Sequence, residues 1–234
     1  MSWIHEVFGR SKVIIGMVHL PPLPGAPLYD GRQGMKGIIE RIAGDLESLQ
    51  TGGIDAVMFC NENDRPYTLQ VGPETVAAMT RAITQVLDLV RVPFGVDILW
   101  DPMAALAVAN STGASFVREV FTGAYAGEIG VWNTDCGRVW RYRKAIGAEG
   151  IRLLYNINAE FAAPLAPRPL GDVARSAVFS SLADAICVSG TMTGSEVASD
   201  AIRVAKEAVR EVPVFANTGA VSYTHLTLPT NREV

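Results

Sequence analysis

The sequence predicts an α/β fold in which short buried strands alternate with amphipathic helices. Apolar residues make up 49% of the 234 residues and occur in short runs. Such runs, about four to eight residues long, are typical of strands that are covered on both faces. The segments between them space their apolar residues at the helical period. Because the two patterns alternate along the chain, they indicate a series of strand–helix units.

Seven apolar runs are predicted to form parallel strands, because each is short, β-branched and without polar alternation. In chain order they are residues 13–18, 54–59, 94–99, 115–120, 151–157, 185–188 and 214–216. Helical faces lie between them, within residues 35–49, 76–90, 170–178 and 197–208. Gly52 and Gly53 are predicted to end the first of these helices.

Repeated strand–helix units form either an open, doubly wound sheet or a closed (β/α)8 barrel. A nucleotide-binding open sheet commonly carries a glycine-rich turn after its first strand. Here that strand leads into His19 and a run of prolines, and no GxGxxG or GxxxxGK[ST] motif occurs. The mean spacing of about 33 residues between strands suits the barrel. We therefore predict a single TIM-barrel domain over residues 1–220, incomplete because only seven strands are found.

Residues 221–234 contain no helical face and no strand–helix pair, and Pro229 interrupts a threonine-rich stretch. This segment resembles a translated adapter sequence, and we expect it to be a non-native, disordered tail. The natural chain is then expected to continue past about Ala220 with a helix, the eighth strand and a final helix, roughly 40–50 residues. A native, irregular C-terminus is the alternative.

Charge and composition narrow the classes of function. A net charge of −4 and a pI near 5.4 argue against a nucleic-acid partner, which needs clustered Lys and Arg. No run approaches the ~20 apolar residues of a transmembrane segment. Peripheral association with a membrane stays an alternative.

The three cysteines, Cys60, Cys136 and Cys187, are far apart and odd in number. We therefore expect three reduced thiols in a cytoplasmic protein.

Every predicted strand ends in polar residues, and catalytic residues of a parallel barrel lie at these carboxyl ends. The candidate catalytic residues are His19, Asp97, Arg118, Glu119 and Asn156. Three of them stand inside apolar runs, where buried charges need partners, so Asp97, Arg118 and Glu119 are expected to interact. A salt-bridged interior without catalysis is the alternative. His19 either transfers protons or holds the proline loop.

The sequence contains no HxH or HExxH motif, which would predict a metal site. Binding of a divalent cation by side chains from separate strands stays an alternative.

A second set of residues is predicted to bind a substrate or an anion. Ser189 to Glu196 joins a strand to a helix, and glycines with hydroxyls at a helix N-terminus present N–H groups to an anion. The alternative is an ordinary N-cap beside Glu196. The strand-seven turn is expected to form half of a phosphate site. The full set is Asn61, Ser189, Gly190, Thr193, Gly194, Asn217, Thr218 and Gly219.

Two segments, residues 20–34 and 121–134, are predicted to be long loops at the same end of the barrel. Prolines stiffen the first, because each of them fixes φ. Tyr125 and Trp132 stand among glycines in the second. Either loop is placed to cover a ligand or to form a subunit contact.

The segment from Ile14 to Gly25, IIGMVHLPPLPG, closely resembles the N-terminal signature of the BtpA/SgcQ family. Shorter segments also resemble that family: GVDIL at 95–99, FVR at 116–118 with FTG at 121–123, TDCG at 134–137, SG at 189–190 with TG at 193–194, and NTG at 217–219. The resemblance covers about residues 10–220 and implies a barrel similar to the ribulose-phosphate-binding barrels. It also implies two functions: a photosystem I biogenesis factor associated peripherally with thylakoids, or a nucleosidase or sugar-metabolism protein. The chain departs from the family pattern at Asn156, where many relatives have an aspartate.

Two hypotheses of function follow. The first is an enzyme that acts on a ribosyl or sugar-phosphate-like small molecule, with nucleosidase-like hydrolysis as the preferred reaction. Asp97 or Glu119 would then serve as the acid/base or as the oxocarbenium stabiliser. Arg118 would anchor an anion, and His19 would shuttle a proton. The second hypothesis is a non-catalytic accessory factor that docks through exposed Tyr125 and Trp132. The sequence indicates no particular cofactor. It leaves undecided whether the chain forms a homo-oligomer.

Overall fold

A computed structural model describes residues 2–192 and 194–218. The backbone divides into two compact units. The first unit is Met1–Glu119 with Arg138–Arg152, and the second unit is Val120–Gly137 with Leu153–Val234. The predicted tail at 221–234 and the candidate residues Thr193 and Gly219 lie outside the described residues.

The first unit alternates helices and strands in the predicted order. Its elements are α1 (Trp3–Phe8), β1 (Ile15–His19), α2 (Gly34–Thr51), β2 (Ala56–Cys60), α3 (Pro73–Val86), β3 (Phe94–Asp97), α4 (Pro102–Thr112) and β4 (Phe116–Glu119). A 3-10 turn, Leu87–Leu89, follows α3. Neighbouring strands pair in parallel in the order β1-β2-β3-β4. The four strands predicted in this unit are therefore confirmed, each to within two residues at either end.

Local sequence explains how these helices form and pack. Ile38, Ile42 and Leu46 recur every fourth residue along α2 and are buried, as expected of an amphipathic helix. Asp101 caps α4, since its Oδ1 accepts the N–H of Ala104 at 3.0 Å. Most residues of α4 are apolar, and six of its eleven residues are buried, so this helix has no amphipathic period for a sequence pattern to reveal.

The ring of Phe116 on β4 lies against Gly95 of β3, its partner in the parallel pairing. A Cβ added at Gly95 would lie 2.2 Å from Cε2 of the Phe116 ring, a distance that no real contact allows. Phe116 is fully buried, and Phe8 of α1 packs against its ring with centroids 5.7 Å apart. A glycine is therefore required at position 95 for as long as position 116 carries a phenyl ring.

Two further elements cross the division between the units: α5 (Cys136–Ala145) and β7 (Arg152–Asn156). The second unit also contains β5 (Ala124–Gly127), β6 (Gly130–Asn133), β8 (Ala162–Pro164), α6 (Leu170–Phe179), β9 (Ala185–Val188), α7 (Ser199–Val209) and β10 (Val214–Ala216). Strands β7, β9 and β10 pair in parallel in that order. The strands predicted at 151–157, 185–188 and 214–216 are thus confirmed.

The segment at 121–134, predicted to be a loop, forms the β5–β6 hairpin instead. Strand β5 pairs antiparallel with β6 on one side and with β8 on the other. Tyr125 lies opposite Trp132, and their rings stack with centroids 4.5 Å apart. The two residues are only 4% and 6% exposed. The prediction that they form an exposed docking patch is therefore wrong, because pairing in the hairpin turns both rings to its buried face.

Candidate functional site

The carboxyl ends of three neighbouring strands of the first unit bring polar side chains into one row. Parallel pairing aligns His19 at the end of β1 with Cys60 at the end of β2. The same pairing aligns Cys60 with Asp97 at the end of β3. Aligned residues of a parallel sheet point to the same face. His19, Cys60 and Asp97 therefore stand side by side.

Asp97 is the centre of this row, and its side chain is fully buried. Its Oδ2 forms an ion pair with Nη2 of Arg118 on β4. The same oxygen accepts a hydrogen bond from Sγ of Cys60 at 3.6 Å. Within the described residues, Oδ1 of Asp97 has no hydrogen-bond partner. The pairing of Asp97 with Arg118 agrees with the prediction that buried charges in these runs compensate each other.

His19 lies in an environment that disfavours its charged form. Burial of the ring lowers its pKa below the usual value, and the nearby positive charge of Arg118 lowers it further. Asp97 and Asp45 act in the opposite direction but do not reverse the shift. His19 nevertheless ranks among the exposed residues of the unit, so the burial that lowers its pKa is partial. His19 is therefore neutral near pH 7 and able to accept a proton.

Glu119, predicted as a partner of Asp97, has one oxygen that binds the backbone instead. Its side chain is buried, and Oε1 accepts the N–H of Trp100 at 2.7 Å. Trp100 has a φ of 71°, in the left-handed region that a bulky residue rarely adopts. Glu119 thus holds a strained turn directly after β3. Strain of this kind recurs near functional sites.

Asn61, predicted to bind substrate, uses both ends of its buried amide to organise loops. Its Oδ1 accepts the N–H of Leu99 at 2.9 Å, and its Nδ2 donates to Asp64 at 3.3 Å. Asp64 in turn accepts the N–H of Leu23 at 2.7 Å. Burial raises the pKa of Asp64 despite these two donors. This network ties the proline loop to the loop that follows β2.

A cavity of about 220 Å³ opens between these two loops. Its walls combine apolar surface with acidic and amide groups. The lining residues include Pro27, Asn61, Asp64, Tyr67, Glu74 and Leu99. Its position next to Leu99 places it just beyond the carboxyl end of β3, where ligands of parallel α/β proteins bind.

The second unit has its own polar cluster at the ends of β7, β9 and β10. The hydroxyl of Ser189 donates to Oδ1 of Asn156 at 3.2 Å. Nδ2 of Asn217 donates to the same hydroxyl at 2.7 Å. Nδ2 of Asn156 makes no hydrogen bond within the described residues, although the side chain is only 8% exposed. These three predicted residues are thus in direct contact.

Asn158, which was not among the candidates, orients Ser189. Its Nδ2 donates to the carbonyl oxygen of Ser189 at 2.6 Å, and its Oδ1 accepts the N–H of Ser189 at 2.9 Å. This side-chain amide therefore pairs with a backbone as a neighbouring strand would. We call this double hydrogen bond the Asn158 clamp.

The turn after Ser189 differs from the predicted helix N-terminus, because α7 begins only at Ser199. The N–H of Gly194 donates to Oγ1 of Thr218 at 2.8 Å. Gly190 lies so close to the chain that an added Cβ would be 2.4 Å from the carbonyl oxygen of Ser195. Gly190 and Gly194 therefore shape the turn, and Thr218 holds it.

Within residues 2–192 and 194–218, no three His, Cys, Asp or Glu side chains are grouped so that they could hold a metal ion. In the same part of the chain, no helix is long and apolar enough to cross a membrane.

Parallel strands that pair in chain order within each unit, with helices between them and polar groups at their carboxyl ends, are typical of an α/β protein of the TIM-barrel class. A solved structure supports this assignment: YagE of Escherichia coli K12, a prophage protein belonging to the dihydrodipicolinic acid synthase family. It superposes with a TM-score of 0.51 at 16% identity, over 85% of this chain. The chain spans 59% of YagE, less than two thirds of its length. At this identity the likeness shows the fold alone, and it confirms the predicted fold class.

Within that class, the chain belongs to the BtpA family, whose sequence profile matches residues 10–227. It is 47% identical over 219 residues to the sgc region protein SgcQ of Escherichia coli (strain K12), covering 94% of this chain and 82% of SgcQ. It is 32% identical over 220 residues to the Photosystem I biogenesis protein BtpA of Synechocystis sp., covering 93% and 76%. The family resemblance inferred from short motifs is confirmed.

Proposed function

We propose that this BtpA-family protein hydrolyses a glycosidic bond in a ribosyl or sugar-phosphate-like small molecule, as a nucleosidase does. Asp97 carries the proposal. It is a fully buried carboxylate at the end of a parallel strand, and its Oδ1 lacks a partner within the described residues. A buried acceptor without a donor is costly, so such an oxygen is suited to a donor that arrives with a ligand.

The chemistry of glycosidic cleavage suits the groups of the first unit. Positive charge develops on the sugar ring in the oxocarbenium-like transition state, and the carboxylate of Asp97 would stabilise it. Neutral His19 would accept a proton from the attacking water as the water oxygen bonds to the anomeric carbon. The bond to the leaving group breaks at the same carbon, and the leaving group takes up a proton from bulk water, to which His19 then returns the proton that it accepted. Glu119 would maintain the Trp100 turn and add a second buried carboxylate.

The polar cluster of the second unit consists of neutral groups. Ser189, Asn156 and Asn217 present a hydroxyl and two amides, which suit hydroxyl or phosphate oxygens. The N–H of Gly190 makes no hydrogen bond within the described residues. We propose that these groups bind the hydroxyl or phosphate oxygens of a small molecule by hydrogen bonds.

A purely accessory function has less support. The aromatic pair that such a function was expected to use, Tyr125 and Trp132, is buried. The biogenesis role in the name of the Synechocystis relative belongs to that protein, which shares 32% identity with this chain.

The test is a thermal-shift screen of nucleosides and sugar phosphates, followed by chromatography of the stabilising compounds for released base or sugar. We expect at least one compound to stabilise the protein and to be cleaved. Asp97→Asn and His19→Gln should each remove cleavage, whereas Asp200→Asn on the exposed face of α7 should retain it. Absence of any stabilising compound, or cleavage that persists in Asp97→Asn, would refute the proposal.

A further inference from the structure

Cys60 contacts the carboxylate that the proposed function uses, and neither the family nor the sequence pattern assigns it a role. Its side chain is fully buried, and Sγ lies 3.6 Å from Oδ2 of Asp97. Register brings the two together, since Cys60 and Asp97 are direct partners across β2 and β3. The contact is thus a property of the sheet and not of a mobile loop.

The thiol can only act as a donor in this contact. Burial raises the pKa of Cys60 well above its usual value, and the negative charge of Asp97 raises it further. The S–H proton is therefore retained, and a thiol is a weak hydrogen-bond donor. A second acceptor, Oε2 of Glu62, lies farther away, at 4.0 Å. Tyr67 also donates to Glu62, to Oε1 at 3.2 Å.

The two oxygens of Asp97 are consequently in different states. Oδ2 forms an ion pair with the guanidinium of Arg118 and accepts a hydrogen bond from the thiol of Cys60. Oδ1 receives no donor within the described residues. Two contacts to one oxygen restrict rotation about the bond that carries the carboxylate, and they determine the direction in which the other oxygen points.

We propose that Cys60 is a positioning residue that, together with Arg118, holds Oδ2 of Asp97 so that Oδ1 faces a hydroxyl donor of the substrate. The substrate group is a hydroxyl because an ionised carboxylate accepts hydrogen bonds and repels phosphate oxygens. A sugar hydroxyl therefore meets Asp97, and any phosphate of the same substrate binds elsewhere. This inference rests on the proposed function, but the state of the thiol can be measured without it.

The first experiment is infrared spectroscopy of the S–H stretch in the intact protein. Alanine variants of the three cysteines assign the bands. The band of Cys60 should lie below the frequency of a thiol in an apolar solvent, because donation to a carboxylate weakens the S–H bond. It should rise in Asp97→Asn and stay in place in Glu62→Gln. A Cys60 band at the frequency of a non-bonded thiol in the wild type overturns the proposal, even if Asp97→Asn does not fold.

The second experiment is calorimetric binding of D-ribose 5-phosphate. Cys60→Ala should weaken binding about fivefold, the order expected for one weak donor to a charged acceptor. Cys60→Ser should restore most of the affinity, since its hydroxyl also donates. Cys187→Ala is the matched control, a buried cysteine on β9. Equal losses in Cys60→Ser and Cys60→Ala would overturn the proposal. If the wild type binds no sugar phosphate or nucleoside, the proposed function fails, while the S–H band still decides the role of Cys60.

Discussion

Asp97 and Arg118 bring opposite charges into the interior of the first unit, with side chains 0% and 16% exposed. We predict that Arg118→Met lowers the free energy of unfolding by about 3–5 kcal/mol, because it leaves a buried carboxylate uncompensated. Chemical denaturation measures this loss. The double variant Asp97→Leu with Arg118→Met should recover most of it, since no unpaired charge remains.

The matched control for this pair is Arg203 on α7, which pairs with Asp200 at 2.9 Å on the surface. Arg203→Met should leave the free energy of unfolding nearly unchanged, because water and salt screen exposed ion pairs. If Arg118→Met were as mild as this control, the pair with Asp97 would contribute little to folding.

His19 should titrate below its usual pKa, because burial and Arg118 both disfavour the imidazolium. The unfolded chain then binds more protons than the folded chain in the window below pH 6.5, so stability falls as the pH decreases through it. Nuclear magnetic resonance of the imidazole C–H signals should give a His19 pKa below 6.5. The pH dependence of unfolding should be weaker in His19→Gln. A pKa above 6.5 would contradict the environment described for this ring.

In the second unit, one side chain extends the backbone hydrogen bonding of a strand. Strand β9 ends at Val188, and the Asn158 clamp continues its pairing by one residue, with hydrogen bonds of 2.6 and 2.9 Å to Ser189. The clamp therefore holds Ser189 against Asn156 and Asn217. A loop residue thus performs the function that strand pairing performs elsewhere in the sheet.

We predict that Asn158→Ala speeds amide hydrogen exchange at Ser189 at least about tenfold, since the N–H loses its acceptor. Exchange at Ile186 in the same strand should not change, because that N–H donates to the carbonyl of Pro213. Equal acceleration at both amides would mean that the variant loosens the whole strand and that the clamp has no local effect.

For the whole molecule, the reactivity of the three thiols measures how well each unit excludes solvent from its interior. Cys60 is fully buried in the first unit, and Cys187 is 2% exposed in the second. Cys136 is half-buried, with Sγ 3.2 Å from the hydroxyl of Tyr155. We predict that an aromatic disulfide reagent titrates at most one thiol per native chain and all three in guanidinium chloride. Rapid reaction of two thiols in native buffer would show that one unit opens readily.

The seven parallel strands of the described residues could be predicted from sequence, because strands covered on both faces consist mostly of apolar residues. Strands β5, β6 and β8 could not, since they are three or four residues long and contain glycine or proline. Tyr125 and Trp132 stack across the pairing of β5 with β6. The only local signal was the short link between Gly127 and Gly130, which is typical of a hairpin.

The candidate site was predictable in composition but only partly in its contacts. The partnership of Asp97 with Arg118 followed from the cost of burying a charge. The hydrogen bond from the N–H of Trp100 to Glu119 depends on the left-handed backbone of Trp100, which no sequence motif predicts. The role inferred for Cys60 depends on the register between β2 and β3. Sequence patterns identify strands but do not specify which residues lie opposite each other.

The close approach at Gly95 also has an evolutionary consequence. Because an added Cβ there would meet the ring of Phe116 at 2.2 Å, position 95 cannot gain a side chain while position 116 keeps its phenyl ring. Homologues with alanine or serine at position 95 should carry a smaller residue at position 116. The two positions should therefore covary across the family, and a lineage could cross from one pair to the other only by shrinking position 116 first.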